Sequence, residues 1–77
     1  MVIQLKLFGG LESYLPRKQT PYPAEAAEGS TVGELLDSFG VPREKPRTIL
    51  VNARHTQLDQ ILQDGDVLAV FPPIAGG

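Results

Sequence analysis

Polar and apolar residues alternate from the first positions of the chain. In "MVIQLKLF", Ile3, Leu5 and Leu7 fall on one side, and Val2, Gln4, Lys6 and Phe8 on the other. A period of two predicts a strand buried on one face. "GGLESYLP" reads as a loop or a single helical turn closed by Pro16. In "RKQTPYPAEAAEG", Pro21 and Pro23 have no N–H to give a ladder, so any strand there belongs at an edge. The period then changes. In "STVGELLDSFGVP", Val32, Leu35, Leu36 and Phe39 form one helical stripe. Thr31 and Glu34 have the spacing of a capping box, Gly40 offers a left-handed C-terminal cap, and Pro42 forbids continuation. Gly33 costs this helix about 1 kcal/mol relative to alanine, and close packing on a sheet is its expected reason.

"TILVN" is an unbroken apolar run, which predicts a central, buried strand. "NARHTQ" reads as a turn into a short strand. In "LDQILQDGD", Leu58, Ile61 and Leu62 are expected to point inward beside a turn at Asp64-Gly65. "VLAVF" is the last strand. The order is strand, strand, helix, strand, short strand, strand. It predicts an α+β domain in two layers, with a mixed sheet of about five strands and one main helix on one face.

A chain of 77 residues makes one small domain. Near this size only roughly 60–65% of the unfolded chain's surface is buried, so a deep, walled active site is not expected. Net charge is −2, and the four arginines (Arg17, Arg43, Arg47, Arg54) are scattered among acids. That is not the footprint of a nucleic-acid binder, and mild acidity points to a partner with a basic groove. The absence of cysteine excludes disulfides, thiolate metal sites and a cysteine nucleophile, and it fits a reducing cytosol. With no charged-then-apolar leader and no apolar run of membrane length, a mature cytoplasmic chain without a membrane partner is expected. His55 is the sole histidine. Asp64 and Asp66 resemble a piece of a calcium loop, but the far ligands are missing, so a turn is expected and no metal site. Gly9-Gly10 lacks the lysine and the strand-to-helix spacing of a phosphate loop, and is also read as a turn.

The chemistry concentrates in "AVFPPIAGG". Pro72 and Pro73 cannot donate to a ladder, so the last strand must end at Phe71. They favour an extended conformation and make a stiff stalk. This divides the chain into a domain, residues 1–71, and a tail, residues 72–77. Six residues reach at most roughly 20 Å, enough to enter another protein's active site while the body docks outside. Gly76 and Gly77 can pass where a Cβ cannot. A glycine carboxylate, once activated as a mixed anhydride with AMP, is sterically open to attack. The competing assignment is an ordinary loose terminus, where glycine is common.

"VNARHTQLDQILQDGDVLAVFPPIAGG" resembles the C-terminal third of the MoaD/ThiS family of ubiquitin-like sulfur carriers, in particular molybdopterin synthase small subunits. "FPPIAGG" is its most specific part. "MVIQLKLF" and "TVGELL" fit more loosely, and residues 16–29 fit least. The resemblance implies a β-grasp fold and a carrier that is not itself an enzyme and holds no permanent cofactor. An E1-like adenylating enzyme would use ATP and Mg²⁺ to adenylate Gly77, and a sulfur donor protein would displace AMP and leave a thiocarboxylate. The body would dock on a synthase large subunit and the sulfur would pass to a pterin precursor. By the same resemblance Gly77 bears the sulfur, Gly76 gives clearance, Ile74 and Ala75 complete the arm, and Pro72 and Pro73 aim it. Phe8, His55 and Phe71 match partner-binding positions, although core packing competes for both phenylalanines. His55 stands where family members usually carry an apolar residue, and Ala53 where glycine commonly follows the asparagine. Thiamine carriers usually lack the double proline, which favours the pterin pathway. The alternatives are a carrier for thiamine or for a cysteine or tungsten-cofactor route, a covalent protein modifier, and an interaction domain whose tail is never activated.

Overall fold

A computed structural model describes residues 1–73. Strand β1 (Val2–Leu7) leads through a 3₁₀ turn (Leu11–Tyr14) to β2 (Tyr22–Glu25). Helix α1 (Val32–Ser38) follows, then β3 (Thr48–Val51), β4 (Arg54–His55) and β5 (Val67–Phe71). The strands form one sheet in the order β2-β1-β5-β3-β4. Only the β1–β5 pair is parallel; the other three are antiparallel. One helix crossing one face of a mixed sheet is the two-layer α+β domain that the element order predicted, in the β-grasp arrangement that the resemblance implied.

The alternation in β1 sends Ile3, Leu5 and Leu7 to the helix side, where all three are buried. Leu68 and Val70 of β5 and Ile49 of β3 join them, and Val32, Leu35 and Leu36 of α1 close the layer from above. The predicted helix signals are all present. The Thr31 hydroxyl accepts from the Glu34 N–H and the Glu34 carboxylate accepts from the Thr31 N–H. At the other end Gly40 has φ +80°, and the Gly40 and Val41 N–H groups return to the carbonyls of Asp37 and Leu36. That pair of bonds satisfies carbonyls which the helix itself leaves open. Strand β2, which follows Pro21 and contains Pro23, is an edge strand, as the missing donors require.

Three expectations are corrected. β3 is not central: it lies second from the β4 edge, and only Ile49 of "TILV" is buried. The helix covers a single face, so an unbroken apolar run here does not mean burial on two sides. Ile61 does not point inward; it is 57% exposed. Leu58 and Asp59 form a turn, closed by the Gln60 N–H on the Gln57 carbonyl, and Ile61 then makes an antiparallel bridge with Thr31, with Val32 N–H donating to the Gln60 carbonyl and Leu62 N–H to the Ser30 carbonyl. Extended chain alternates sides, so Leu62 goes in and Ile61 goes out. Gly33 does not pack on the sheet. A Cβ there would meet the Arg43 guanidinium at 3.0–3.2 Å, and that guanidinium is held by two hydrogen bonds to Asp37.

Candidate functional site

The helix leaves the opposite face of the sheet open. On it stand the outward residues of each strand: Gln4 and Lys6 of β1, Val67, Ala69 and Phe71 of β5, Leu50 of β3. The register aligns Lys6 with Ala69, Ala69 with Leu50, and Leu50 with His55. A row thus crosses four strands on one face. Lys6 is the cation in that row.

Phe8 and Phe71 are brought together at one end of this face. β1 and β5 run parallel and finish side by side, so their last outward residues are neighbours. The two rings stack with centroids 4.6 Å apart and planes within 8°. Both are half-buried rather than part of the core. Core packing is therefore not their role, and the pair forms a flat apolar platform where the chain leaves the sheet. His55 is exposed on the same face but does not join the pair. It sits on β4, two strands and about 10 Å across from β5.

Backbone bonds hold the end of β5. The Phe8 N–H donates to the Val70 carbonyl at 3.1 Å, and the Arg47 N–H to the Phe71 carbonyl at 2.8 Å. Pro72 follows at once and can make no such bond. Pro73 is exposed. Ile74, Ala75, Gly76 and Gly77 lie outside the described residues. β5 ends at Phe71, as the double proline requires.

The turns that resembled ligand loops are engaged within the fold. Asp64 accepts from the Val2 N–H, and Asp66 accepts from the Asn52 side-chain amide and the Gln63 N–H. Asn52 also accepts from the Val67 N–H, so the β3–β4 turn is tied to the start of β5. Among the described residues no three of His, Cys, Asp and Glu gather as a metal site. Nor, among them, is any helix long and apolar enough to cross a membrane.

Leu50 and Ala69, which link His55 to the β5 side of the face, escaped the reading of the sequence. Their signal was available: in "VLAVF" and "TILVN" the positions alternating with the buried ones include Ala69 and Leu50. An expectation of a central, buried strand over "TILVN" leaves no outward position to single out.

The sheet order, the single helix and a last strand that ends at Phe71 beside the open face define a ubiquitin-like β-grasp domain. Comparison with known proteins supplies the narrower class. The ThiS family profile matches residues 7–77, so the match runs through the Gly-Gly end. This chain belongs to the ThiS family, among the MoaD/ThiS ubiquitin-like sulfur carriers. No curated protein matches the sequence. Among solved structures it is similar to SAMP1 from Haloferax volcanii, with 25% identity over 100% of both chains and a TM-score of 0.73. It is similar to a putative molybdopterin converting factor subunit 1 from Pyrococcus furiosus, with 24% identity over 95% of this chain and 98% of that one, TM-score 0.70. It is also similar to a chain in the complex of subunits 1 and 2 of the molybdopterin-converting factor from Helicobacter pylori. There the identity is 23% over 100% of both chains, TM-score 0.62.

Proposed function

We propose that this chain carries sulfur as a thiocarboxylate on Gly77 and gives it to a pterin precursor in molybdopterin synthesis. Its carboxylate attacks the α-phosphate of ATP in an E1-like adenylating enzyme that supplies Mg²⁺, and pyrophosphate leaves. A sulfur donor protein then delivers sulfur to the acyl carbon, and AMP leaves. The open face, with Phe8 and Phe71 at its arm end and His55 across the sheet, docks on the synthase large subunit. Pro72 and Pro73 aim the arm, Ile74 and Ala75 extend it, and Gly76 passes the narrow point. The reaction takes place in sites that the partners build, and the carrier returns as carboxylate. One observation carries the reading: the family match continues through "FPPIAGG" to Gly77. The Helicobacter complex, which joins subunits 1 and 2, supports a large-subunit partner.

A second reading, covalent modification of other proteins, is favoured by the likeness to SAMP1; a structure of the same protein is described as small archaeal modifier protein 1. Activation is the same in both readings, and the attacking group differs: sulfur in one, a lysine amine in the other. The test is to charge the protein with an E1-like enzyme, ATP and Mg²⁺, then to offer sulfide and a cell extract together. Exchange of oxygen for sulfur in the free chain, followed by dithiolene formation when a large subunit and the pterin precursor are added, is the expected result. Conjugates to lysines without a sulfur-bearing free chain would replace it with the modifier reading.

A further inference from the structure

We propose that Gly9 is a positioning residue for the arm: its missing Cβ is the seat of the Pro72 ring, and this contact sets the direction in which the chain leaves the domain. The inference rests on the carrier reading for its catalytic consequence, but not for its geometry. Gly9 follows the Phe8 platform directly. A Cβ built on it would lie 2.6 Å from Pro72 Cγ and 2.7 Å from Pro72 Cδ, where no side chain fits.

Pro72 has little freedom to yield. Its ring is closed on its own backbone nitrogen, so Cγ and Cδ have no rotamer that swings away. The preceding residue is pinned by the Arg47 N–H on its carbonyl and by the stack of its ring on Phe8. A methyl group at position 9 must therefore turn the chain at the Phe71–Pro72 junction or push the Gly9–Gly10 turn away from Pro72. Either change alters the direction in which the chain enters the arm. The neighbouring glycine provides the contrast. Gly10 is also left-handed, with φ +97° against +66° for Gly9, yet a Cβ there meets nothing within 4 Å. Alanine at either position strains the backbone, and alanine at position 9 alone meets the arm.

The experiment begins with an NMR measurement on the full-length wild-type chain. Cross-peaks between the Gly9 Hα protons and the Pro72 Hγ and Hδ protons are expected; their absence overturns the proposal. Gly9→Ala, Gly10→Ala, Pro72→Ala and the Gly9→Ala/Pro72→Ala double variant are then compared in adenylation and sulfur loading of Gly77. Docking affinity for the adenylating enzyme and the melting temperature are measured beside them. Gly9→Ala is expected to lower the rate at saturating carrier by about tenfold to a hundredfold, the cost of misplacing a reacting group by about 1 Å. Its docking affinity stays that of wild type. Gly10→Ala keeps the wild-type rate. Trimming the Pro72 ring removes both colliding atoms, so the double variant returns to the rate of Pro72→Ala alone. Equal rates for Gly9→Ala and Gly10→Ala, or no recovery in the double variant, overturn the proposal. Where no adenylating enzyme charges even the wild-type chain, the carrier reading falls, and the cross-peaks still decide the contact.

Discussion

Ala53 occupies a backbone position that favours glycine. It follows Asn52 in the β3–β4 turn, with φ of 52° at Asn52 and 68° at Ala53. A Cβ in the left-handed region costs roughly 1–2 kcal/mol, partly offset because glycine has more freedom to lose on folding. Ala53→Gly is expected to stabilise the protein by up to about 1 kcal/mol in urea unfolding. A loss of stability would show that the alanine makes a compensating contact. Asp37 presents a different residue-scale effect. Hydrogen bonds from Arg43, and then its charge, hold the Asp37 carboxyl below its ordinary 3.8. A folded-state pKa that is depressed gives stability that is present above the unfolded pKa and lost as pH falls through the folded one. Both side chains are about half exposed, at 56% and 48%, so the gain is small. Arg43→Gln is expected to lower the melting temperature slightly near neutral pH and to leave it unchanged well below the carboxylate range. A deficit that persists in strong acid would assign the loss to the uncovering of Gly33 and not to charge.

At the scale of elements, local chemistry in the chain was readable wherever one residue type has one physical use. Thr31, Glu34 and Gly40 bound α1 as their spacing required, and Pro21 and Pro23 assigned β2 to an edge. Thr31→Ala, which removes one half of the capping box, is expected to cost about 1 kcal/mol in urea unfolding. An unchanged midpoint would mean that the carbonyls of Leu58 and Gln60, which already receive the Gly33 and Val32 N–H groups, hold the helix start alone. What the sequence concealed was the surroundings of elements. "TILV" shows that β3 is apolar but not that the helix covers one face only, so the run does not reveal which of its residues face outward. "LDQIL" does bend at Leu58–Asp59, but the bridge between Thr31 and Ile61, which turns Ile61 outward, has no signal in the sequence. Gly33 was legible as a tight spot, but the neighbour was a guanidinium ten positions ahead instead of the sheet. The candidate site followed the same rule. The arm was legible in "AVFPPIAGG", and Phe8, His55 and Phe71 were singled out by the family resemblance, whereas the stacking of the two rings depends on β1 and β5 ending side by side.

The whole molecule separates two duties onto two faces of one sheet. The helix side holds it together: Leu68, fully buried, should cost about 2–5 kcal/mol as Leu68→Ala. The open side is available for a partner. Leu50→Lys, at a half-buried position in the row between Ala69 and His55, is expected to leave the protein folded and to cost less stability than Leu68→Ala. Its affinity for the synthase large subunit should fall by about tenfold or more, the scale of losing one central apolar contact. An unaltered affinity would move docking away from this face. The central claim concerns Gly77, and the chain is well suited to test it. It has no cysteine and one methionine, Met1, so sulfur gained near the C-terminus cannot be a persulfide or an oxidised thiol. No lysine or arginine follows Arg54, so trypsin releases residues 55–77 as one peptide. The decisive measurement is the mass and fragmentation of that peptide after incubation with an E1-like adenylating enzyme, ATP, Mg²⁺ and a sulfur donor. The account predicts one oxygen exchanged for sulfur, localised to Gly77; a charged reaction that leaves the peptide unaltered, or sulfur on any other residue, would contradict it.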